Sequence, residues 1–434
     1  MKKRIVLGAV FVCAMSTVVT TALAGSNRHS ITALPSSSCQ SLQYKGSGSP
    51  QYIIGSDLPL QGANRALTTE MAKAVQFILA QDNWKAGKYS VGFQSCDDST
   101  AAAGGYDTAK CTANAAAYAA DSAVLGIIGT FNSGCAKIEL PVNNRASVAM
   151  VSPSNTYPGL TVKAPGTAPG EPGIYYPTGK RNYARVVWTD LSQGAADVLF
   201  VKNNLHLKNV YVLTDKTTYG EGISTIFQTD AKKEGLKIAG FQPWNPTGTT
   251  FQSLATAVKQ SGADGVFLGG NVCFQGGKVI KDLRSVLGAS FPIMVPDGFT
   301  PASATYTTSG GTAVGVYVSQ PGVPTNQLKG AGAKFASSFA KANGGKSPDP
   351  YTAYAAQAAE VLLGAIAASD GTRASVIAHL TNLTIKNGIL GSFKINKNGD
   401  TTLGIVTIQQ IDKSKSSQHF VTLLTPPSSL TGLG

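Results

Sequence analysis

Charge is scarce in this chain. Asp, Glu, Lys and Arg make up 14% of 434 residues, and the balance is basic, at +13. The basic residues are scattered and do not interleave with aromatics, which argues against a nucleic-acid-binding stripe. With 43% hydrophobic residues the composition is not that of a disordered chain either. Histidine is rarer still. His29, His206, His379 and His419 lie far apart, none beside a cysteine, and no Cys-x-x-Cys pair occurs, so no zinc-ligand spacing is present. Catalytic signatures are missing too: there is no Gly-x-Ser-x-Gly, no His-Glu-x-x-His, and no glycine at phosphate-loop spacing before Gly276-Gly277-Lys278. After the N-terminal segment no apolar run reaches the roughly 20 residues that cross a bilayer.

What is present begins at the N-terminus. Lys2, Lys3 and Arg4 precede an apolar run from Ile5 to Val19, and Ala22-Leu23-Ala24 follows as a small-x-small cleavage pattern. Residues 1–24 therefore read as a cleaved signal peptide and the chain as exported. Cleavage lowers the net charge from +13 to +10. It also removes Cys13 and leaves Cys39, Cys96, Cys111, Cys135 and Cys273, an odd number in a compartment that permits disulfides.

Residues 25–50, rich in Ser, Gly and Pro, read as a flexible leader, with order expected to start near Gln51. From there strands and helices alternate. Tyr52-Ile53-Ile54-Gly55 is a buried strand. Met71, Ala74, Val75, Ile78 and Leu79 recur at helical spacing behind Thr68 and Thr69 as candidate caps. Two such stretches, 51–160 and 186–298, have similar size. This predicts an α/β fold: two similar doubly wound parallel-sheet lobes. Residues 162–183, dense in Gly and Pro, read as a surface insertion.

In open parallel sheets ligands sit beyond the carboxyl ends of strands, so the loops there matter most. They carry hydroxyls and backbone donors. Gly129-Thr130-Phe131-Asn132-Ser133-Gly134-Cys135-Ala136 opens a helix, whose free N–H groups suit an anion. Ser152-Pro153-Ser154-Asn155-Thr156-Tyr157 follows the next strand. In the second stretch Tyr219-Gly220-Glu221-Gly222 follows a strand, and Asp297 follows Ile293-Met294-Val295, where its carboxylate can hold an ammonium group. An anion hook and a cation hook together read a zwitterion. Asp97 and Asp98, adjacent at a strand end, point opposite ways and read as loop structure or helix capping.

The order and spacing of Ser152–Thr161, Asp215-Lys216-Thr217-Thr218-Tyr219-Gly220-Glu221-Gly222, Leu268-Gly269-Gly270 and Val295-Pro296-Asp297-Gly298 resemble type I periplasmic solute-binding proteins, in the leucine/isoleucine/valine-binding branch that serves ABC importers. The resemblance implies a first lobe of residues 51–187 plus 320–399, a second of 188–319 plus 400–425, a three-crossing hinge near Val187, Ser319 and Gly399, and a tail from 426 to 434. It places Ser133 and Thr156 on a ligand carboxylate, with Ser154, Thr156 and Asp297 on its amine. It sets Tyr219 over the ligand and Asn271 and Phe274 near its side chain, with Phe131 also counted among the ligand-binding residues. It implies a first-lobe disulfide, Cys96 with Cys111 or alternatively Cys111 with Cys135, leaving Cys39 for a second bridge. The expected ligand is an amino acid and the expected partner a membrane ABC permease. No cofactor, metal, nucleic acid or membrane insertion is expected, and the chain is expected to be a monomer. Readings set beside this are a sensory module of the same fold and a secreted α/β hydrolase.

Overall fold

A computed structural model describes residue 31, residues 33–413 and residues 417–432. The signal-peptide segment lies outside the described residues. Among the described residues no helix is long and apolar enough to cross a membrane.

Two sheets organise the chain. The first has six strands in the order Lys85–Ala86, Tyr89–Asp97, Tyr52–Leu58, Val124–Gly129, Ala149–Ser152, Tyr183–Arg185. The second has seven, in the order Gln418–Leu424, Val406–Ile411, Tyr317–Pro321, Ile293–Val295, Gly265–Gly269, Asn209–Thr214, Lys237–Pro243. In each, the five parallel strands follow one order, second-first-third-fourth-fifth along the chain. The fold is therefore α/β with two similar lobes. The chain passes between the sheets three times: between Arg185 and Asp190, after Pro321, and between Ile395 and Val406.

Buried parallel strands need apolar runs with helices on both faces. Ile53, Ile54, Val91, Phe93, Ile127 and Ile128 are such residues, all essentially without exposure. The helix Arg65–Gln81 buries Met71, Ala74, Val75, Ile78 and Leu79 on one face and packs on the helix Pro350–Ala368. Each fully buried Leu, Ile or Val there stabilises by about 1.5–3 kcal/mol. Thr68 sits inside the Arg65–Gln81 helix rather than capping it, and its hydroxyl donates to the Pro59 carbonyl at 2.6 Å.

Three expectations need correction. The leader is ordered well before Gln51. The strand Lys85–Ala86 covers only the start of Tyr89–Asp97, so the rest of that edge has unpaired backbone groups. Residues 38–43 supply partners: Gln40 N–H donates to the Ser95 carbonyl and Gln43 N–H to the Phe93 carbonyl, both at 2.8 Å. That register sets Cys39 opposite Cys96, and these two form a disulfide. The second disulfide joins Cys111 and Cys135, from two helices packed side by side. The local pairing of Cys96 with Cys111 is thus wrong and the alternative, Cys111–Cys135, is right. Cys273 is free and buried. Finally, residues 162–183 are no mere surface loop. Glu171 is buried there, accepting hydrogen bonds from the Tyr157 hydroxyl at 2.7 Å and from the Tyr175 hydroxyl, and pairing with Lys137 at 3.0 Å.

Candidate ligand-binding cleft

The first-lobe wall is two loops knitted into one. After Val124–Gly129 the chain turns through Thr130, Phe131 and Asn132 into the helix Ser133–Arg145. Cys135 N–H already donates to the Asn132 carbonyl at 3.1 Å, which leaves the N–H groups of Ser133 and Gly134 without an intrahelical acceptor at the positive end of the helix. After Ala149–Ser152 the loop folds back on them. Ser152 Oγ donates to the Thr130 carbonyl at 3.0 Å and accepts from Asn155 N–H at 2.8 Å. Asn155 Nδ2 and Ser154 Oγ both donate to the Phe131 carbonyl, at 3.0 and 3.2 Å. From below, the wholly buried Arg185 donates from Nη1 to the Asn155 and Tyr157 carbonyls at 2.8 and 3.0 Å, and from Nε to Asp400 Oδ1 at 2.8 Å. Asp400 lies on the third crossing, so this ion pair ties the loop to the hinge.

The second-lobe wall is assembled on Asp215. Its carboxylate accepts from Thr217 N–H, from Thr217 Oγ1, and from both Asn271 N–H and Asn271 Nδ2, at 2.7 to 2.9 Å. This fixes Asn271 beside the start of the helix Thr218–Lys233, where Thr217 caps Gly220 N–H at 3.0 Å. Gly220 is required: a Cβ there would come within 2.0 Å of Asp215 Oδ1. Tyr219, in the first turn, donates its hydroxyl to Asp297, and Gly298 N–H donates back to that hydroxyl oxygen at 3.3 Å. The other Asp297 oxygen accepts the hydroxyl of Tyr351, which comes from the first lobe. Burial pushes the Asp297 carboxyl up from the ordinary aspartate value, and the Tyr219 and Tyr351 hydroxyls hold it back by donating to the charged form.

These walls meet at a small cleft lined by Phe131, Asn132, Ser133, Ser154, Thr156, Tyr219, Asn271, Asp297, Gly298 and Tyr351. Seven of the sequence-derived residues thus meet in one place. Phe274 does not. The left-handed Gln275 ends the 3-10 turn Val272–Phe274, and the Phe274 ring lies edge-on against Tyr106 of the first lobe at 5.9 Å. Tyr351, Asn132 and Gly298 are additional. Tyr351 had one available signal, the Asp349-Pro350 helix start that puts it in a first turn. None of the lining residues is Lys, Arg or His. The cleft therefore offers hydroxyls, helix N–H groups and one carboxylate, which together suit hydrogen-bonded capture.

A family profile described as periplasmic binding protein matches residues 52–416, and the chain belongs to that family, in its type I form. Members are exported substrate-binding proteins, not enzymes, and work with ABC transporter permeases. Leu/Ile/Val-binding protein homolog 3 of Brucella melitensis is 27% identical over 186 residues, which is 43% of this chain and 45% of that protein. A leucine binding protein of Thermotoga maritima superposes with a TM-score of 0.74 at 22% identity, covering 86% of this chain and 99% of that one. A solute binding protein of an ABC transporter from R. palustris, solved with 4-hydroxybenzoate, gives 0.72 at 16% identity, covering 88% and 99%. At such identities the two structures speak to fold.

Proposed function

We propose that this periplasmic binding protein takes an α-amino acid or a similar zwitterion into the cleft and presents it to a membrane permease. The ligand carboxylate rests on the first-turn N–H groups at Ser133 and on the Ser133 and Thr156 hydroxyls. The ammonium group lies against Asp297, with Ser154 and Thr156 completing its shell. Tyr219 covers the ligand, and Phe131 and Asn271 border its side chain. The observation that carries this reading is Asp297 itself: a buried carboxylate facing a cleft whose lining contains no cationic side chain. A hydroxybenzoate, as held by the R. palustris protein, has no positive group to offer it and would bring a second negative charge. The Leu/Ile/Val-binding relative supports the amino-acid reading.

The magnitudes are adequate. A hydrogen bond to a charged group contributes about 1.5–3 kcal/mol, and several of them, less the ordering cost, reach the roughly −8 kcal/mol of micromolar binding. Contact with both walls at once gives the ligand its differential affinity for the closed form. A thermal-shift screen of the mature chain against amino acids and aromatic acids tests the proposal. A stabilisation by one or more amino acids that disappears in Asp297→Asn is expected. Stabilisation by aromatic acids alone would overturn it.

A further inference from the structure

Behind the cleft wall, under the helices Thr108–Ala120 and Ser133–Arg145, three carboxyls are wholly buried: Asp57, Asp98 and Glu139. Asp57 is satisfied, accepting from Asn114 Nδ2 at 3.1 Å and from the Tyr118 hydroxyl at 2.8 Å. Asp98 is not: neither of its oxygens has a hydrogen-bond partner, whereas Glu139 is hydrogen-bonded carboxyl to carboxyl with Asp57. An uncompensated buried carboxylate is expensive, so such a group is either protonated or waiting for a cation. In the oxidised chain the group keeps its proton, and its neighbours supply the further ligands by which a cation can replace that proton. An Asp98 oxygen and the sulfurs of Cys111 and Cys135 all lie within 4.8 Å of one another. Glu139 Oε1 is 3.6 Å from Cys135 Sγ. No other such group of His, Cys, Asp and Glu occurs among the described residues.

We infer that reduction of the Cys111–Cys135 disulfide converts this cluster into a site for a thiophilic divalent cation of the zinc type, held by Cys111, Cys135 and Asp98 with Glu139 as the fourth ligand. Two thiolates and oxygen donors select zinc over calcium or magnesium. Thiolates on one tetrahedral zinc stand about 3.8 Å apart, given Zn–S bonds of about 2.3 Å. The two Cα atoms, already 5.6 Å apart, allow this by side-chain rotation alone. The chemistry balances. A dithiol reductant supplies two electrons and two protons to the Cys111–Cys135 bond and is itself oxidised to a disulfide. Metal binding then releases the two thiol protons together with those held on the Asp98 and Glu139 carboxyls. Disulfide and metal exclude each other, so the same pair of helices is clasped covalently in the oxidised chain and by the metal in the reduced one.

Cobalt(II) is the probe, titrated into the full chain under anaerobic conditions and followed by its thiolate charge-transfer absorption. The dithiol-reduced protein should bind one cobalt per chain and the oxidised protein none. Asp98→Asn, which keeps both sulfurs and the side-chain shape, should weaken binding at least about tenfold. Cys135→Ser should lose the two-thiolate band, whereas Cys96→Ser should keep it. Three results would overturn the site: no band in reduced protein, affinity unchanged by Asp98→Asn, or a band abolished by Cys96→Ser rather than by Cys135→Ser. A reduced chain that unfolds and binds cobalt indifferently to Asp98 counts among these.

Discussion

The two walls of the cleft are built on opposite plans. The first-lobe wall is complete in itself. Its loops bond to each other through Ser152, Ser154 and Asn155, and Arg185 locks them from beneath. The second-lobe wall is completed only by contact with the first, because Asp297 takes one hydroxyl from its own Tyr219 and the other from Tyr351 across the cleft. The difference teaches an order of events. A ligand can dock on the prepared wall, and the second lobe then brings the carboxylate that closes the site.

Breaking the first wall should have the largest effect. Arg185→Met leaves Asp400 buried and unpaired and frees the Asn155 and Tyr157 carbonyls, so urea unfolding should show a loss of about 3–5 kcal/mol. Breaking the second wall should spare the fold. Asp297→Asn should weaken amino-acid binding by about 2–5 kcal/mol in titration calorimetry, while the melting temperature of the free protein stays close to wild type. The bond between the walls is worth less: Tyr351→Phe should cost about 0.5–1.5 kcal/mol of affinity by the same method. Ser133→Ala should cost least, below about 1 kcal/mol, since in the proposed binding mode helix N–H groups also serve the ligand carboxylate.

Acidity separates binding from stability. Burial raises the Asp297 carboxyl, and only its ionised form pairs with an ammonium, so affinity should be full above that raised value and fall as pH drops through it. Asp98 and Glu139 are raised further, Asp98 by burial, then by the charges of Asp57 and Asp97, and Glu139 by burial, then by the charge of Asp57. A raised folded-state value means the folded chain holds the proton more tightly than the unfolded one. The stability this contributes is present at acid pH and is lost as pH rises from the ordinary carboxylate range through the folded value. Glu139→Gln should therefore flatten the loss of melting temperature toward alkaline pH, without shifting the pH dependence of binding.

Much of this was legible in the sequence. Alternating apolar runs and helical spacing gave the paired lobes, and position after a strand pointed to the loops of residues 129–136, 152–157 and 219–222 and to Asp297, within which the family resemblance picked out Ser133, Ser154, Thr156 and Tyr219. What escaped reading depended on geometry that spacing does not carry. Tyr351 stands far along the chain from the loops it meets, inside an Ala-rich helix that reads as core. Cys39 pairs with Cys96 because a Ser- and Pro-rich segment covers a strand edge whose exposure no local pattern announces. Phe274 is three residues from Asn271, yet the 3-10 turn Val272–Phe274 between them sets its ring against Tyr106 and away from the cleft lining. Asp98, read as loop or cap, proved wholly enclosed, because the leader and two helices close over the strand end where it sits.

The most direct test compares one ligand with and without its amine. The tightest-binding amino acid and the same molecule lacking only the α-amino group should be titrated in parallel into the mature wild-type protein. The geometry predicts a preference of about a hundredfold or more for the amino acid, as expected when a buried charge loses its partner. Equal affinities, or tighter binding of the deaminated acid, would contradict the assignment of Asp297 as the group that holds the ligand.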